Sequence, residues 1–274
     1  MTFQLIHIDE TDSTNRWLRE HLGDLASDAA SVTPDVTTLT PDVTMLTPDV
    51  TTLTPGVATP TPDVTTPTVV VAEFQTAGRG CGTNTWESER GQNLLFSVLL
   101  HPRQVPATQQ FRISMAVSVA ISEALEQYIG DVSIKWPNDI YWRNGKICGI
   151  LIEHTLKGQT IKNSIVGVGL NVNQREFRSD APNPVSLWQI TGQTTDRDAL
   201  LHDIMQRLGR LLDADVRPSY LSRLYRRRGF HPYVDGQGAF MAEIAEVRDD
   251  GRLVLIDEDG RERTYAFKEV QFII

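Results

Sequence analysis

The sequence has few of the features that mark secreted, membrane or metal-binding proteins. It holds two cysteines, Cys81 and Cys148, and their spacing fits neither a disulfide framework nor a metal motif. The six histidines are scattered, and no apolar run approaches the ~20 residues of a membrane-spanning helix. The first residues lack the basic stretch and apolar core of a signal peptide. We therefore expect a protein of the reducing cytoplasm that does not enter a membrane.

An excess of positive charge is also missing. The 274 residues include 26 Lys and Arg against 35 Asp and Glu, a net charge of −9, so no DNA partner is expected. There is no Walker loop and no Ser-His-Asp or Cys-His arrangement, so covalent catalysis by a protein nucleophile is not predicted. The apolar content of 40% suits a soluble globular protein, long enough for one large and one small domain.

Residues 33–68 hold an internal repeat, in which Thr-Pro-Asp-Val-Thr recurs with a period of seven. A coiled coil is excluded because the proline in every unit removes a helix donor and clashes with the preceding turn. The composition cannot bury a core, which predicts an extended, disordered loop. We interpret it as a tandem expansion, since loop-closure entropy rises slowly with length; the alternative is a partner-binding arm.

Apolar β-rich runs, alternation and turn signals predict the strands of the larger domain. Single strands are expected at residues 3–8, 69–74, 93–100 and 132–136, and a β pair from 160 to 173. Pro137 ends the fourth of them, and the Asn144-Gly145 pair predicts a hairpin turn. From Phe230 onward, short strands separated by Asp-Gly turns predict a small β-barrel. The expected domains are therefore residues 1–228 and 229–274.

Helices are predicted where apolar residues recur at helical spacing or where capping residues precede them. The first helix is expected to begin after residues 11–15. The other three cover residues 111–129, 195–212 and 218–228. Gly23 is expected to end the first helix and Gly229 the last. Thr195 and Asp198 predict a cap for the third. The hydroxyl and amide side chains at 13–15 exceed what capping needs, so they are also ligand candidates.

Residues 75–88 have the most distinctive local chemistry. Three glycines at 78, 80 and 82 surround Arg79, and Trp86 follows. Glycines at this spacing let backbone N–H groups gather around an anion, and arginine is a fork-shaped donor for phosphate or carboxylate. The alternative is a surface loop that binds nothing.

Two further polar segments, residues 135–139 and 146–149, lie at strand ends or turns. Lysine beside glycine-rich backbone suits a polyphosphate. Asp139 is a candidate Mg²⁺ ligand, because Mg²⁺ binds through one or two carboxylates plus phosphate oxygens. The residues alone leave two interpretations open, a nucleotide-using enzyme and an anion-binding module.

Together these motifs resemble those of biotin protein ligases. They are Ser-Thr-Asn at 13–15, Gln-Thr-Ala-Gly-Arg-Gly at 75–80, Lys-Trp-Pro-Asn-Asp at 135–139, Gly-Lys-Ile-Cys-Gly-Ile-Leu at 145–151 and Gly-Val-Gly-Leu-Asn-Val-Asn at 167–173. The resemblance covers the chain outside the repeat. It implies an α/β fold with a mixed β-sheet related to class II synthetases, followed by an SH3-like barrel. It further implies the monofunctional form, without the N-terminal DNA-binding domain, as a monomer or weak homodimer.

The resemblance also implies a two-step reaction. Biotin and ATP would give biotinyl-5′-adenylate with Mg²⁺ as cofactor, and the biotinyl group would pass to a lysine of a biotin carboxyl carrier protein, a subunit of acetyl-CoA carboxylase. One alternative is a lipoate or octanoate ligase of the same fold. The other is a degenerate, non-catalytic biotin-binding protein.

Residue roles follow from the matched motifs. The implied catalytic residues are Lys135, Lys146 and Arg79. Biotin would be bound by Ser13, Thr14, Asn15, Gln75, Gly149, Gly167 and Gly169. ATP or the adenylate would be bound by Arg79, Gly80, Cys81, Trp86, Lys146 and Asn171. Mg²⁺ would be held by Asn138 and Asp139. Many members carry a basic or amide residue where this chain has Cys81, so we expect weaker retention of the adenylate than in a Cys81→Arg variant.

Overall fold

The computed structural model describes residues 2–27, 66–82, 84–102, 105–179 and 181–274. Most of the repeat, and the prediction of a disordered loop for it, lies outside these residues. The helices are α1 (Thr14–Glu20), α2 (Leu22–Ser27), α3 (Phe111–Leu125), α4 (Leu187–Thr191), α5 (Arg197–Leu211) and α6 (Arg217–Ser222). The strands of the larger part are β1 (Gln4–Thr11), β2 (Thr68–Gln75), β3 (Leu94–Leu100), β4 (Val132–Lys135), β5 (Asp139–Trp142), β6 (Gly145–Lys157) and β7 (Thr160–Leu170).

These seven strands form one sheet in the order β1-β2-β3-β7-β6-β5-β4. The β1–β2 pair is parallel and every other neighbouring pair is antiparallel, which confirms the predicted mixed sheet. All seven residues of β3 are buried, as expected for a central strand covered on both faces.

Helices cover the two faces of this sheet unequally. On one face α3, with thirteen of its fifteen residues buried, packs against α5 and belongs to the main core. On the other face Leu18 of α1 packs with Val70, Leu99 and Ile165. Val69 and Val71 belong to the main core instead, because successive side chains of a strand point to opposite faces. The part of the second face that α1 leaves open carries the candidate site.

The first helix ends differently from the prediction. It stops at Glu20, and Gly23 lies inside α2, so the prediction that Gly23 ends the first helix is wrong. The predicted cap of α5 by Thr195 and Asp198 is also wrong. The Asp196 side chain accepts hydrogen bonds from the backbone N–H groups of Asp198 and Ala199, whereas the N–H of Thr195 donates to Asn173.

The predicted helix over 218–228 is observed only as α6, which has six residues. Beyond it the backbone pairs with β4 instead: Ile134 N–H donates to the carbonyl of Arg223 at 2.8 Å, and Tyr225 N–H donates to that of Ile134 at 2.9 Å. Arg226 then has a positive φ of 58°, which an α-helix does not accommodate. Tertiary pairing thus replaced the helical hydrogen bonds that the sequence pattern favoured.

The end of the chain forms a second sheet, an antiparallel one of five strands. They are β8 (His231–Asp235), β9 (Gly238–Val247), β10 (Leu253–Asp257), β11 (Glu262–Tyr265) and β12 (Val270–Phe272), in the order β11-β10-β9-β8-β12. It shares the main core through Tyr233, Val247 and Leu253. The Trp136 indole N–H also donates to the Gly251 carbonyl at 2.8 Å. None of the helices in the described part of the chain has the length and apolar character to cross a membrane.

Candidate active site

A cleft of about 1230 Å³ opens on the second face of the large sheet. All sixteen residues for which the resemblance implied a role line this cleft. They come from the start of α1, the 75–88 loop, β4 to β7 and the segments that follow these strands. The fold thus brings together five motifs distributed between residues 13 and 173.

The floor of the cleft is a strip of sheet without side chains. Gly149 of β6 pairs directly with Gly169 of β7, and Gly167 lies two residues earlier on the same face. A Cβ at Gly169 would lie 2.4 Å from the Trp86 ring, one at Gly149 2.8 Å from it, and one at Gly167 2.2 Å from Asn15 Oδ1. The three glycines that were expected to approach biotin therefore make room for Trp86 and Asn15 in this structure.

One end of the cleft is a buried polar cluster around the start of α1. The Gln75 side-chain carbonyl accepts from the Thr14 backbone N–H at 2.8 Å and lies 3.2 Å from the Thr14 hydroxyl. Ser13 is the N-cap residue but makes no capping side-chain hydrogen bond within the described part of the chain. Capping therefore does not account for Ser13, and its buried hydroxyl lines the cleft.

Ser97 joins this cluster and was missed by sequence reasoning. It is fully buried in β3, and its hydroxyl lies 2.7 Å from Thr14 Oγ1 and 2.6 Å from Asn15 Oδ1. It is paired with Gly167, which places it on the same sheet face as the glycine floor. A hydroxyl in an otherwise apolar strand was the available signal, since a buried polar group needs a partner.

Glu153 of β6 is a second residue that the motifs did not identify. Its carboxylate accepts from Asn15 Nδ2 at 3.0 Å, pairs with Arg19 at 2.5 Å and lies 3.6 Å from the Arg79 guanidinium. It therefore connects α1 to the glycine-arginine loop. Within that loop, Gly80 N–H donates to the Asn84 carbonyl at 2.8 Å and Trp86 N–H to that of Gly78 at 2.9 Å, so the loop folds back as a short hairpin.

The two lysines of the cleft have different surroundings. Lys146 forms an ion pair with Asp139 at 2.8 Å, and its ammonium lies 5.8 Å from the centre of the Trp86 ring. The Lys135 ammonium lies 5.2 Å from the centre of the Tyr141 ring. Burial lowers the pKa of Lys135, and the positive charges of Lys146 and Arg226 lower it further against the opposing effect of Asp139.

Asn171 lines the cleft and has a buried, unused acceptor. Its side chain is 2% exposed, and its Nδ2 donates to the Val185 carbonyl at 3.1 Å. Its Oδ1 has no hydrogen-bond partner among the described residues. A buried amide oxygen without a partner is costly, so the atom is suited to accept a hydrogen bond from a bound molecule such as the amino group of adenine.

Asn138 and Asp139 supply one amide and one carboxylate at the cleft wall. The described residues contain no group of three or more His, Cys, Asp or Glu side chains arranged to hold a metal. This donor set fits Mg²⁺, which takes many of its ligands from water and nucleotide phosphates. It does not fit a metal enclosed by protein ligands alone.

Part of the cleft wall comes from segments that no motif marked. Phe267, Lys268 and Phe272 belong to the second sheet and its last turn, and Ser179 and Pro184 to the segment after β7. No local pattern distinguishes them, because only the packing of the second sheet brings them to the cleft.

Comparison with known proteins places this fold in a class of protein ligases. The profile of the Biotin/lipoate A/B protein ligase family matches residues 53–171. The fold is similar to that of the Aquifex aeolicus biotin protein ligase solved in complex with biotin and ATP, with a TM-score of 0.69, 24% identity and coverage of 98% of this chain and 99% of that one.

Two sequence relatives define the family further. The biotin–[acetyl-CoA-carboxylase] ligase of Mycobacterium tuberculosis is 30% identical over 204 residues, 70% of this chain and 74% of that protein. The bifunctional ligase/repressor BirA of Bacillus subtilis is 30% identical over 221 residues, 72% of this chain but 64% of that protein, so the chain spans less than two thirds of that relative's length. The chain belongs to the biotin protein ligase family.

Proposed function

We propose that this protein is a biotin protein ligase. It would join biotin to ATP as biotinyl-5′-adenylate with release of pyrophosphate, and then transfer the biotinyl group to a lysine of a carboxyl carrier protein with release of AMP. The observation that carries the proposal is the convergence of five separate motifs on one cleft with a polar end, a glycine floor and two lysines. The relatives' names support it.

The polar end suits the biotin head group. Hydrogen bonds hold Thr14, Asn15 and Gln75 in fixed positions with Ser97 behind them, so little side-chain entropy remains to be lost on binding. Ser13 adds a hydroxyl that capping does not use. The adenylate would extend from this end over the glycine floor toward Trp86 and the free acceptor of Asn171.

Charge stabilisation is the chemical contribution of the lysines. In the first step a biotin carboxylate oxygen forms a bond to the α-phosphorus, the bond between that phosphorus and the bridging oxygen breaks, and the electron pair leaves with pyrophosphate. Lys135 and Lys146 would neutralise the carboxylate as it approaches and the charge that develops on the phosphoryl oxygens. Arg79, held near Glu153, would bind the adenylate as the loop closes.

Several finer assignments belong to the same proposal. Asn138 and Asp139 would hold Mg²⁺, which neutralises phosphate charge. Residues 229–274 would form an SH3-like barrel, and residues 1–228 the catalytic domain. The acceptor would be the carrier subunit of an acetyl-CoA carboxylase, by analogy with the name of the Mycobacterium tuberculosis relative, and the reaction would take place in the cytoplasm.

The test is incubation with radiolabelled biotin, ATP, Mg²⁺ and a carrier domain. We expect label on the carrier lysine, and its loss in Lys146→Ala but not in Lys162→Ala, which removes an exposed lysine of β7. Transfer of lipoate or octanoate in place of biotin would make the protein a ligase for those acids. Biotin binding without adenylate formation would make it a non-catalytic binding protein.

A further inference from the structure

The last turn of the chain brings a lysine to the glycine-arginine loop. Lys268 lies between β11 and β12 and lines the cleft. Its ammonium lies 3.5 Å from the Cys81 carbonyl oxygen. A Cβ at Gly82 would lie 2.5 Å from the same ammonium. The absence of a side chain at Gly82 thus leaves the space that the Lys268 ammonium occupies beside the loop.

The backbone at Lys268 is unusual for a lysine. Its φ is +72°, in the left-handed region that glycine and asparagine favour. The turn is closed on both sides of it: Glu269 N–H donates to the Ala266 carbonyl at 3.1 Å, and the Glu269 carboxylate accepts from Ala266 N–H at 2.7 Å. A non-glycine residue kept in this conformation has a cost, and such a cost is typical of functional sites.

The Lys268 ammonium lies 5.9 Å from the centre of the Phe267 ring but faces no carboxylate partner among the described residues. In the described part of the chain Lys146 pairs with Asp139 and Arg79 lies near Glu153, whereas no ion pair involves Lys268. The facing segment, residues 80–86, contains no charged side chain. An ammonium without a carboxylate partner, beside the uncharged residues 80–86 and in a cleft that already holds Arg79, Lys135 and Lys146, suits the most negatively charged part of a substrate.

We propose that Lys268 binds the β- and γ-phosphates of ATP, and so the pyrophosphate that leaves in the first step. This rests on the proposed function. The catalytic lysines belong to the large sheet, so Lys268 would be the contribution of the second sheet to nucleotide binding. It would supply the cationic charge that residues 80–86 lack, and it would not touch the adenylate that remains after pyrophosphate has left.

Calorimetric binding to the full-length protein tests this assignment. Lys268→Gly removes the charge and leaves a residue that accepts the positive φ, so the variant is expected to fold. We expect its dissociation constants for ATP and for inorganic pyrophosphate to rise about tenfold, equivalent to ~1.4 kcal/mol. The dissociation constants for biotin and for a non-hydrolysable biotinyl-adenylate analogue should stay unchanged, because neither ligand has β- and γ-phosphates. Lys268→Arg should restore ATP and pyrophosphate binding, and Lys162→Ala is the matched control.

Three results would overturn the proposal. The first is ATP and pyrophosphate binding by Lys268→Gly within twofold of the unsubstituted protein. The second is equal weakening of the adenylate analogue, which would mean that Lys268 acts only by holding the loop. The third is a change in the KM for the carrier protein while the binding of ATP and pyrophosphate is unchanged. If the unsubstituted protein transfers no biotin, the proposed function fails, yet pyrophosphate binding still decides the role of Lys268.

Discussion

The Lys146 ammonium and the Asp139 carboxylate form a 2.8 Å ion pair in the cleft, with both side chains less than one third exposed. Asp139 begins β5 and Lys146 lies near the start of β6, so the hairpin between them sets their separation. The pair holds the ammonium in place beside the Trp86 ring. It is the most direct link between the fold and the proposed chemistry.

Asp139→Asn should slow adenylate formation by about 100-fold, because the neutral amide no longer fixes the Lys146 ammonium at the position where charge develops. Biotin-dependent exchange between ATP and pyrophosphate measures this step. Asp131→Asn is the matched control: Asp131 also pairs with a cation, Arg143, but on the exposed surface. A rate for Asp139→Asn within a few-fold of that of the unsubstituted protein would remove Asp139 from the proposed mechanism.

Gly169→Ala should displace the Trp86 indole, since the new Cβ would lie 2.4 Å from the ring. We expect a loss of about 1–3 kcal/mol in the free energy of unfolding, together with weaker ATP binding. Chemical denaturation measures the first and calorimetry the second. Gly130→Ala is the control, because nothing lies within 4 Å of its Cβ.

A double variant separates the clash from a general loss of stability. In a Trp86→Ala background, Gly169→Ala should cost much less than it does alone, because the smaller side chain leaves room for the methyl group. If the losses of unfolding free energy in the two single variants add up to the loss in the double variant, the ring and the residue at position 169 do not interact.

Lys135→Met should abolish most activity yet stabilise the fold near neutral pH. Burial lowers the pKa of Lys135 below its ordinary value of 10.5, so the folded state releases a proton more easily than the unfolded chain. Raising the pH from the lowered pKa toward 10.5 therefore stabilises the unsubstituted protein. The gain in unfolding free energy from Lys135→Met should therefore be largest below this pH range and should decrease as the pH rises through it.

Denaturation at several pH values measures the Lys135→Met difference. Lys162→Met, at an exposed position, should show no such change with pH. A stability difference for Lys135→Met that stays constant across alkaline pH would contradict the predicted direction.

Ser97→Ala should weaken biotin binding about tenfold, or ~1.4 kcal/mol, because Thr14 and Asn15 lose the hydroxyl that orients them. The KM for ATP should not change. Calorimetric titration with biotin measures the effect. Ser118→Ala is a matched control: Ser118 is equally buried, but its hydroxyl has no hydrogen-bond partner in the described part of the structure. Equal effects of the two substitutions would show that Ser97 contributes only packing.

The strands and the glycine floor were predictable because their signals are local. The apolar, β-rich run at 69–74 is typical of a buried strand, and Gly167 and Gly169 share one face because successive residues of a strand alternate between faces. The helix ends were less predictable. Asp196 rather than Thr195 caps α5. The backbone N–H of Thr195 instead donates to the side chain of Asn173, which is distant in sequence.

The sequence by itself determined the mixed-sheet fold class and the motifs of the cleft, because each motif carries its chemistry in residues that are close along the chain. The tertiary structure alone decided which other side chains complete the cleft. Ser97, Glu153 and Lys268 lie in segments without a local signature. Their places depend on strand register and on how the second sheet packs, and both are set by contacts between residues far apart in the chain.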